Sequence, residues 1–241
     1  EADTVGITRH CSKHNYLVKD PNRLGEVMFE AFHVATSGRP GPVVIDLPKD
    51  VQVAQAPYNR PKVVAHKTYR PRLKGDSALI EQAVEALSEA DRPIFYIGGG
   101  IINAGPEASR LLREFVDETG VAVTSTLMGL GAFPASHSAF LGMLGMHGTY
   151  EANLAMHQCD VMFCLGARFD DRVTGRVDAF SPQSFKVHVD IDRSSINKNI
   201  AVDLAIVGDA AYILEDILKC WKARGYQKKG KALAKWWARI D

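Results

Sequence analysis

The sequence has few cysteines, no excess of charge of either sign and no long apolar run. The formal net charge of +1 argues against a nucleic-acid or membrane-surface partner. There is neither a secretory signal peptide nor an apolar run long enough to cross a membrane. Four cysteines in 241 residues are far apart, form no CxxC pair and argue against disulfide or metal frameworks: Cys11, Cys159, Cys164 and Cys220. We therefore expect a protein of the reducing cytoplasm.

Signatures of several catalytic and metal-binding classes are also missing. There is no GxSxG elbow, no P-loop and no Cys/His nucleophile arrangement. Three histidines show no metal-ligand spacing and are expected to be structural or exposed: His10, His14 and His188. Three lysines form the densest basic cluster, which we interpret as part of a solvated linker: Lys228, Lys229 and Lys231.

Composition divides the chain into four segments. Residues 1–51 contain a helix and a short apolar strand that cannot bury their own faces, which indicates the C-terminal part of a preceding α/β domain. Residues 52–74 hold several prolines and basic residues without periodicity and predict a linker. Residues 75–222 have the pattern of a complete domain. Residues 223–241 have helical composition and predict a connection to a further domain.

Short apolar runs alternate with amphipathic helices in the central segment. The predicted strands cover residues 93–97, 121–124, 161–165, 186–191 and 204–207. Such alternation implies parallel strands joined by right-handed crossovers. The predicted fold is therefore α/β, with a doubly wound, mainly parallel sheet.

Residues 161–176, VMFCLGARFDDRVTGR, carry the strongest sign of a binding site. An apolar strand breaks at Gly166 into a segment with two carboxylates and three arginines. Ligands of open α/β sheets bind beyond the carboxyl ends of the strands. Arginine forks grip phosphates and carboxylates there. The alternative is a surface turn whose ion pairs compensate one another.

Other strand ends carry related groups. The three glycines at residues 98–100 allow close backbone approach, and residues 126–128 bring a hydroxyl and apolar surface. Residues 144–147 form a second glycine-containing loop, while Asp190 and Asp209 offer carboxylates to ribose or ribityl hydroxyls. Room, cationic charge and hydroxyl recognition are what an adenine dinucleotide requires.

The nucleotide prediction leaves two alternatives open. A GxGxxG fingerprint that starts at Gly98 fails at Asn103, so the glycines fit a simple tight turn equally well. Met128 and Met146 either line an isoalloxazine ring or fill the core. The residues alone predict a dinucleotide-binding domain and do not identify a reaction.

Four stretches together resemble a known family: SGRPGPVVIDLPKDVQ, STLMGLGAFP, LGMLGMHG and GARFDDRVTGR. In this order they resemble the catalytic subunits of acetohydroxyacid synthase (acetolactate synthase), which are thiamine-diphosphate enzymes. The resemblance runs essentially end to end and implies three α/β domains. The first activates the thiamine pyrimidine, the central one binds FAD, and the last binds diphosphate and Mg²⁺. This chain would hold the end of the first domain and the whole central one.

The resemblance also assigns site residues. It implies that FAD contacts residues at the strand ends and one arginine of the first segment: Arg39, Gly98, Gly99, Gly100, Thr126, Leu127, Met128, Leu144, Gly145, Met146, His147, Gly166, Ala167, Arg168, Asp170, Arg172, Val173, Asp190, Ile191 and Asp209. Arg172 is also implied to receive the second 2-oxoacid, whose carboxylate suits a guanidinium fork. No catalytic residue and no metal ligand is implied within this chain.

The implied reaction is decarboxylation of pyruvate and transfer of the hydroxyethyl unit to pyruvate or 2-oxobutyrate, in branched-chain amino-acid biosynthesis. It needs thiamine diphosphate and Mg²⁺ in the complete enzyme, while FAD is structural. A homodimer or tetramer and a small regulatory subunit are the implied partners. This chain alone is expected to be inactive, because neither thiamine-binding element is in it. The alternatives are glyoxylate carboligase, pyruvate oxidase and a non-catalytic nucleotide-binding module.

Overall fold

The structure, a computed structural model, describes residues 2–240. They form two compact units, of which the first runs to Pro71 and the second starts at Arg72. This boundary falls inside the segment predicted to be a linker, residues 52–74. Within the described part of the chain, no helix is both long and apolar enough to cross a membrane.

The first unit is small and contains two strands. Its elements are α1 (Thr4–Thr8), β1 (His14–Leu17), α2 (Leu24–Thr36), β2 (Val43–Asp46) and α3 (Lys49–Val53). Strands β1 and β2 pair in parallel, and the buried core includes Val18, Val27, Ala31, Val34 and Val51. The segment after α3 returns to this unit, because the Tyr69 hydroxyl donates to the Ser37 carbonyl at 2.9 Å.

The second unit is built around a six-stranded sheet. Its elements are α4 (Ser77–Glu89), β3 (Pro93–Ile97), α5 (Gly99–Asn103), α6 (Pro106–Thr119), β4 (Ala122–Ser125), β5 (Phe140–Met143), α7 (Tyr150–Gln158), β6 (Val161–Leu165), α8 (Asp171–Thr174), β7 (Phe185–Asp190), β8 (Leu204–Val207), α9 (Ala210–Ala223) and α10 (Gly230–Ile240). All neighbouring strands are parallel, in the order β5-β4-β3-β6-β7-β8. The predicted doubly wound α/β fold is confirmed.

Strand β5 is absent from the predicted strands. It lies at the edge of the sheet and is only half-buried. Gly142 in its middle has φ +90°, and its pairing with β4 shifts register between Val123 and Ser125. A short, irregular edge strand does not produce the continuous apolar run of a buried strand.

Strands β3, β4 and β6 are buried on both faces because helices cover each side of the sheet. Alternate residues of β3 enter opposite core layers, with Phe95 and Ile97 in one and Ile94 and Tyr96 in the other. From β3 the chain proceeds outward through β4 to β5, then returns to place β6 on the other side of β3. The crevice between β3 and β6 is therefore the topological switch point, where doubly wound sheets bind ligands.

Two names are used below for the ends of this sheet. The carboxyl edge consists of the strand ends at Ile97, Ser125, Met143, Leu165, Asp190 and Val207. The amino edge consists of the opposite strand ends, where β3 starts at Pro93 and β7 starts at Phe185.

The C-terminal helix packs on the second unit. Leu233, Trp236 and Ile240 of α10 are buried in the core layer that contains Ile94. The Trp236 indole N–H donates to the Pro93 carbonyl at 3.2 Å. An amphipathic helix therefore covers the amino edge, within the segment predicted to connect to a further domain.

Two lysines of the basic cluster contact the ends of helices, while Lys228 and Lys231 remain exposed to solvent. The Lys228 ammonium donates to the Asp117 carbonyl at 3.1 Å. The Lys229 ammonium donates to the Glu89 carbonyl and lies 3.3 Å from the Asp91 carboxylate. These ammonium groups donate hydrogen bonds to carbonyls at the C-terminal ends of α6 and α4 and pair with a carboxylate. The contacts stabilise the segment that precedes α10.

Candidate cofactor site at the carboxyl edge

The glycines that follow β3 and β6 pack directly against each other. The Gly100 N–H donates to the Gly166 carbonyl at 2.9 Å. A Cβ added to Gly98 would lie 2.4 Å from the Gly166 carbonyl oxygen, and one added to Gly100 would lie 2.6 Å from the Gly166 Cα. Gly166 has φ +61°, which favours glycine. Close contact between the two loops at the switch point therefore requires glycine at these three positions.

The loop after β4 presents apolar side chains at the surface. Thr126 caps a 3₁₀ turn by accepting the Gly129 N–H at 3.0 Å. Leu127 and Met128 in this turn are exposed, Met128 by 75%. A Cβ on Gly99 would lie 3.3 Å from the Met128 Cβ, so Met128 sits next to the glycine loop.

The loop after β5 joins the arginine segment. The Met146 N–H donates to the Arg172 carbonyl at 2.9 Å. The Asn153 amide holds the neighbouring glycine from both sides, because its Oδ1 accepts the Gly145 N–H at 2.9 Å and its Nδ2 donates to the Gly145 carbonyl at 3.1 Å. Leu144 is buried, whereas His147 and Met146 are exposed, the latter by 63%. The core-filling alternative is therefore wrong for both methionines.

The arginine segment contains the self-compensating ion pairs that the sequence allowed. A guanidinium N–H of Arg168 donates to the Asp170 carboxylate at 2.7 Å. Arg172 and Asp171 lie 3.7 Å apart, and the Arg172 side chain remains 71% exposed. Exposed pairs of this kind contribute about 0–1 kcal/mol to stability. They order the charges without removing the guanidinium groups from solvent.

Two predicted carboxylates already have partners within the chain. Asp190 is buried, and its Oδ1 accepts the Asp192 N–H at 2.8 Å. Asp209 caps α9, because its Oδ1 accepts the Ala211 N–H at 2.9 Å. Ile191 is half-buried after β7. Hydroxyl recognition by these residues stays a prediction.

Arg39 and Val173 complete the set of implied contacts. Arg39 is exposed in the first unit, and its contact with FAD stays a prediction. Val173 packs against the core layer of the second unit. Among residues 2–240 no group of three or more His, Cys, Asp or Glu side chains is arranged to hold a metal ion.

Sequence reasoning missed the side chains that hold the backbone after β6. Tyr96 of β3, His188 of β7 and Asn199 each donate a hydrogen bond to a main-chain carbonyl of residues 167–169. His188 is buried, as a structural histidine would be. Polar residues inside otherwise apolar strands are the signal that marks Tyr96 and His188, since a buried polar group needs a partner.

A family model described as "Thiamine pyrophosphate enzyme, central domain" matches residues 80–217. The chain belongs to this family. The match covers the sheet of the second unit from α4 to α9. This match confirms the resemblance to thiamine pyrophosphate enzymes that the sequence motifs indicated.

Similar proteins include large subunits of acetolactate synthase. The Acetolactate synthase isozyme 3 large subunit of Escherichia coli K12 is 44% identical over 243 residues, which cover 100% of this chain and 42% of that protein. The Acetolactate synthase large subunit of Corynebacterium glutamicum is 46% identical over 223 residues, 92% of this chain and 35% of that protein. The Acetolactate synthase of Mycobacterium leprae is 42% identical over 242 residues, 100% of this chain and 38% of that protein. This chain thus spans well under half the length of each.

Proposed function

We propose that residues 72–240 are the FAD-binding central domain of an acetolactate synthase catalytic subunit. The observation that carries the proposal is the carboxyl edge. The exposed apolar side chains of Leu127 and Met128 lie in the turn that contacts the glycine loop at the β3/β6 switch point, and Met146 is exposed on the loop after β5. Water-exposed apolar groups beside a doubly wound crevice indicate a ligand with apolar surface.

The residues at this edge fit the chemistry of FAD. An isoalloxazine ring is flat and largely apolar, which suits the exposed methionines. The Arg168 guanidinium suits a phosphate.

The complete protein is proposed to join two 2-oxoacids. When bound, thiamine diphosphate with Mg²⁺ supplies the chemistry for decarboxylation of pyruvate and transfer of its two-carbon unit. Arg172 is proposed to receive the carboxylate of the acceptor, pyruvate or 2-oxobutyrate, because its guanidinium is exposed beside the loop after β5. Residues that bind thiamine diphosphate are not assigned in this chain.

The relatives named above support the wider assembly that we propose. Two of them are large subunits by name, which suits a protein with a small regulatory partner. We propose a homodimer or tetramer of the complete subunit in the cytoplasm, without nucleic-acid or membrane partners. Size-exclusion chromatography with light scattering on the complete subunit tests the oligomeric state.

The FAD proposal is tested by flavin titration of the complete subunit and two variants. Met128→Glu places a charge at the carboxyl edge and is expected to weaken FAD binding roughly tenfold or more. Phe185→Glu is the matched control, because Phe185 is an exposed apolar residue at the amino edge. It should leave affinity unchanged. FAD binding by this domain is wrong if the wild type shows no flavin absorbance and takes up no added FAD.

The reaction is tested by supplying the complete subunit with pyruvate, thiamine diphosphate, Mg²⁺ and FAD. Acetolactate should form. Carbon dioxide release from glyoxylate without acetolactate would favour a glyoxylate carboligase, and oxygen consumption with pyruvate would favour a pyruvate oxidase. The chain of residues 1–241 alone should form no acetolactate. Nucleotide binding without any turnover by the complete subunit would favour a non-catalytic module.

A further inference from the structure

We infer that Tyr96, His188 and Asn199 are positioning residues that fix the Arg168 loop, defined as residues 166–170, for binding of the cofactor. The inference rests on the proposed function, because it concerns the same site. The positioning acts through the backbone, since these side chains bond to carbonyls and not to the Arg168 guanidinium.

Three consecutive carbonyls of the Arg168 loop each accept a hydrogen bond from a different element. The bonds run from His188 Nε2 to Ala167 O at 2.8 Å, from Tyr96 Oη to Arg168 O at 3.0 Å and from Asn199 Nδ2 to Phe169 O at 2.6 Å. The loop makes no strand or helix over these residues. Within a sheet, hydrogen bonds between strands fix the orientation of each peptide group. In this loop, hydrogen bonds from side chains do so instead.

The loop is held at its start as well. Gly166 donates its N–H to the Val189 carbonyl at 2.8 Å and accepts the Gly100 N–H at 2.9 Å. Cys164 adds a second donor to the Ala167 carbonyl at 3.2 Å. The backbone from Gly166 to residue 169 is consequently bonded at every carbonyl.

Two of the three donors are buried and neutral. Burial raises the pKa of the Tyr96 hydroxyl, and burial lowers the pKa of His188 to about 4. His188 Nε2 carries the proton in this arrangement, because it faces the Ala167 carbonyl while Nδ1 has no partner among the described residues. An apolar side chain at position 188 would fill the core without leaving a nitrogen unpaired. The imidazole is therefore explained by the hydrogen bond that its Nε2 donates to the loop and not by core packing.

The fixed backbone directs the one cation of the loop. The Arg168 carbonyl is bonded to Tyr96, and the Arg168 guanidinium is bonded to Asp170 at 2.7 Å. An arginine whose main chain and guanidinium are both ordered loses less conformational freedom when it binds an anion. Loss of one hydrogen bond to a loop carbonyl should consequently weaken binding of the cofactor while leaving the fold intact.

Tyr96→Phe in the complete subunit tests this, because it removes one hydroxyl and keeps the ring. Thr119→Val is the matched control: the buried Thr119 hydroxyl also donates to a carbonyl, that of Phe115 at 2.7 Å, but near the amino edge. Both changes should lower the melting temperature by similar amounts. Tyr96→Phe should weaken FAD binding about 3- to 10-fold, and Thr119→Val should change it less than about twofold.

A second pair of variants separates the donor from the shape of the side chain. His188→Gln offers an amide N–H in place of Nε2, whereas His188→Leu offers none. The glutamine variant should keep most of the FAD affinity that the leucine variant loses. Equal loss in both variants would overturn the role assigned to the hydrogen bond. If the leucine variant fails to fold, the Tyr96→Phe comparison still decides.

Amide hydrogen exchange of the cofactor-free protein supplies a readout that does not depend on FAD. Tyr96→Phe should speed exchange in the Arg168 loop, and Thr119→Val should not. If the wild type takes up no FAD, the proposed function fails, and unchanged exchange would overturn the positioning of the loop too. If the wild type binds FAD and Tyr96→Phe binds it equally well, the inference is wrong and the proposed function stands.

Discussion

The two edges of the six-stranded sheet use their polar groups differently. At the amino edge, the Asp160 carboxylate accepts the N–H groups of Asp91 and Arg92, both at 2.9 Å, and α10 covers the strands through Trp236. At the carboxyl edge, buried donors such as Tyr96 bond to the loop backbone, and apolar Met128 remains exposed. At the amino edge, α10 covers the start of β3, although Phe185 at the start of β7 stays exposed. The carboxyl edge has an ordered backbone with exposed apolar side chains.

This difference shows how one sheet can be both stable and open to a ligand. Closing both edges would leave no surface for a cofactor, and leaving the carboxyl edge unfixed would cost binding energy in ordering the loops. The comparison predicts that substitutions at the amino edge change stability, while substitutions of exposed groups at the carboxyl edge change binding.

The largest expected effect is loss of the α10 anchor. Trp236 is only 2% exposed, so Trp236→Ala should lower the free energy of unfolding of the second unit by about 3–5 kcal/mol. Lys235→Ala is the control, because its side chain is exposed one residue away on the same helix. It should change stability by less than about 0.5 kcal/mol. Urea unfolding followed by tryptophan fluorescence and circular dichroism measures both, and equal stability of the two variants would refute closure by α10.

The next effect is a pH dependence carried by His188 at the carboxyl edge. Its pKa is lowered from 6.5 to about 4 by burial, so the unfolded chain binds more protons between these values. The free energy of unfolding should therefore fall as pH decreases through this window, by up to roughly 3 kcal/mol at about 1.36 kcal/mol per pH unit.

His188→Gln isolates this effect, because it cannot titrate. The Asp190 carboxylate, 3.8 Å from Nε2, and the Cys164 thiol are the titratable groups nearby, and both remain in the variant. Urea unfolding between pH 4.5 and 7 should show a shallower loss of stability in the variant, by roughly 1.36 kcal/mol for each pH unit below 6.5. Parallel curves would show that His188 does not carry the dependence.

The glycine contact gives a smaller and more local effect. Gly98→Ala should lower the free energy of unfolding by roughly 1–3 kcal/mol, because the new Cβ meets the rigid backbone of Gly166 at 2.4 Å. Gly230→Ala at the start of α10 is the control, since a Cβ there meets nothing within 4 Å. It should be neutral or stabilise by about 0.4–1 kcal/mol. Similar results for both variants would mean that the β3/β6 loops can separate without loss of stability.

The smallest expected effect concerns Arg172 and leaves stability unchanged. Arg172→Lys in the complete subunit keeps the charge but loses the guanidinium fork. The kcat/KM for the acceptor, measured by product formation at varied 2-oxobutyrate, should fall about tenfold, which corresponds to about 1.4 kcal/mol. Flavin content should fall less. Normal acceptor use with loss of FAD would make Arg172 a cofactor residue only.

Local pattern was sufficient for the second unit's class of fold. The buried strands β3 and β6 are continuous apolar runs, and the amphipathic helices between strands require parallel crossovers. These features depend on residues close together in the chain. The four motifs likewise identified the family, because each is a contiguous stretch.

Only the tertiary structure decided which groups meet. Tyr96 lies 72 residues from Arg168 in the chain, and His188 lies 21 residues from Ala167. The loop glycines were predicted to leave room for a ligand, yet the space beside Gly98 is occupied by the Gly166 backbone. Local periodicity reports the face of an element that is buried, whereas contacts between strand ends depend on how the strands are ordered in the sheet. That ordering placed β3 beside β6 and thereby created the carboxyl edge that the proposed function uses.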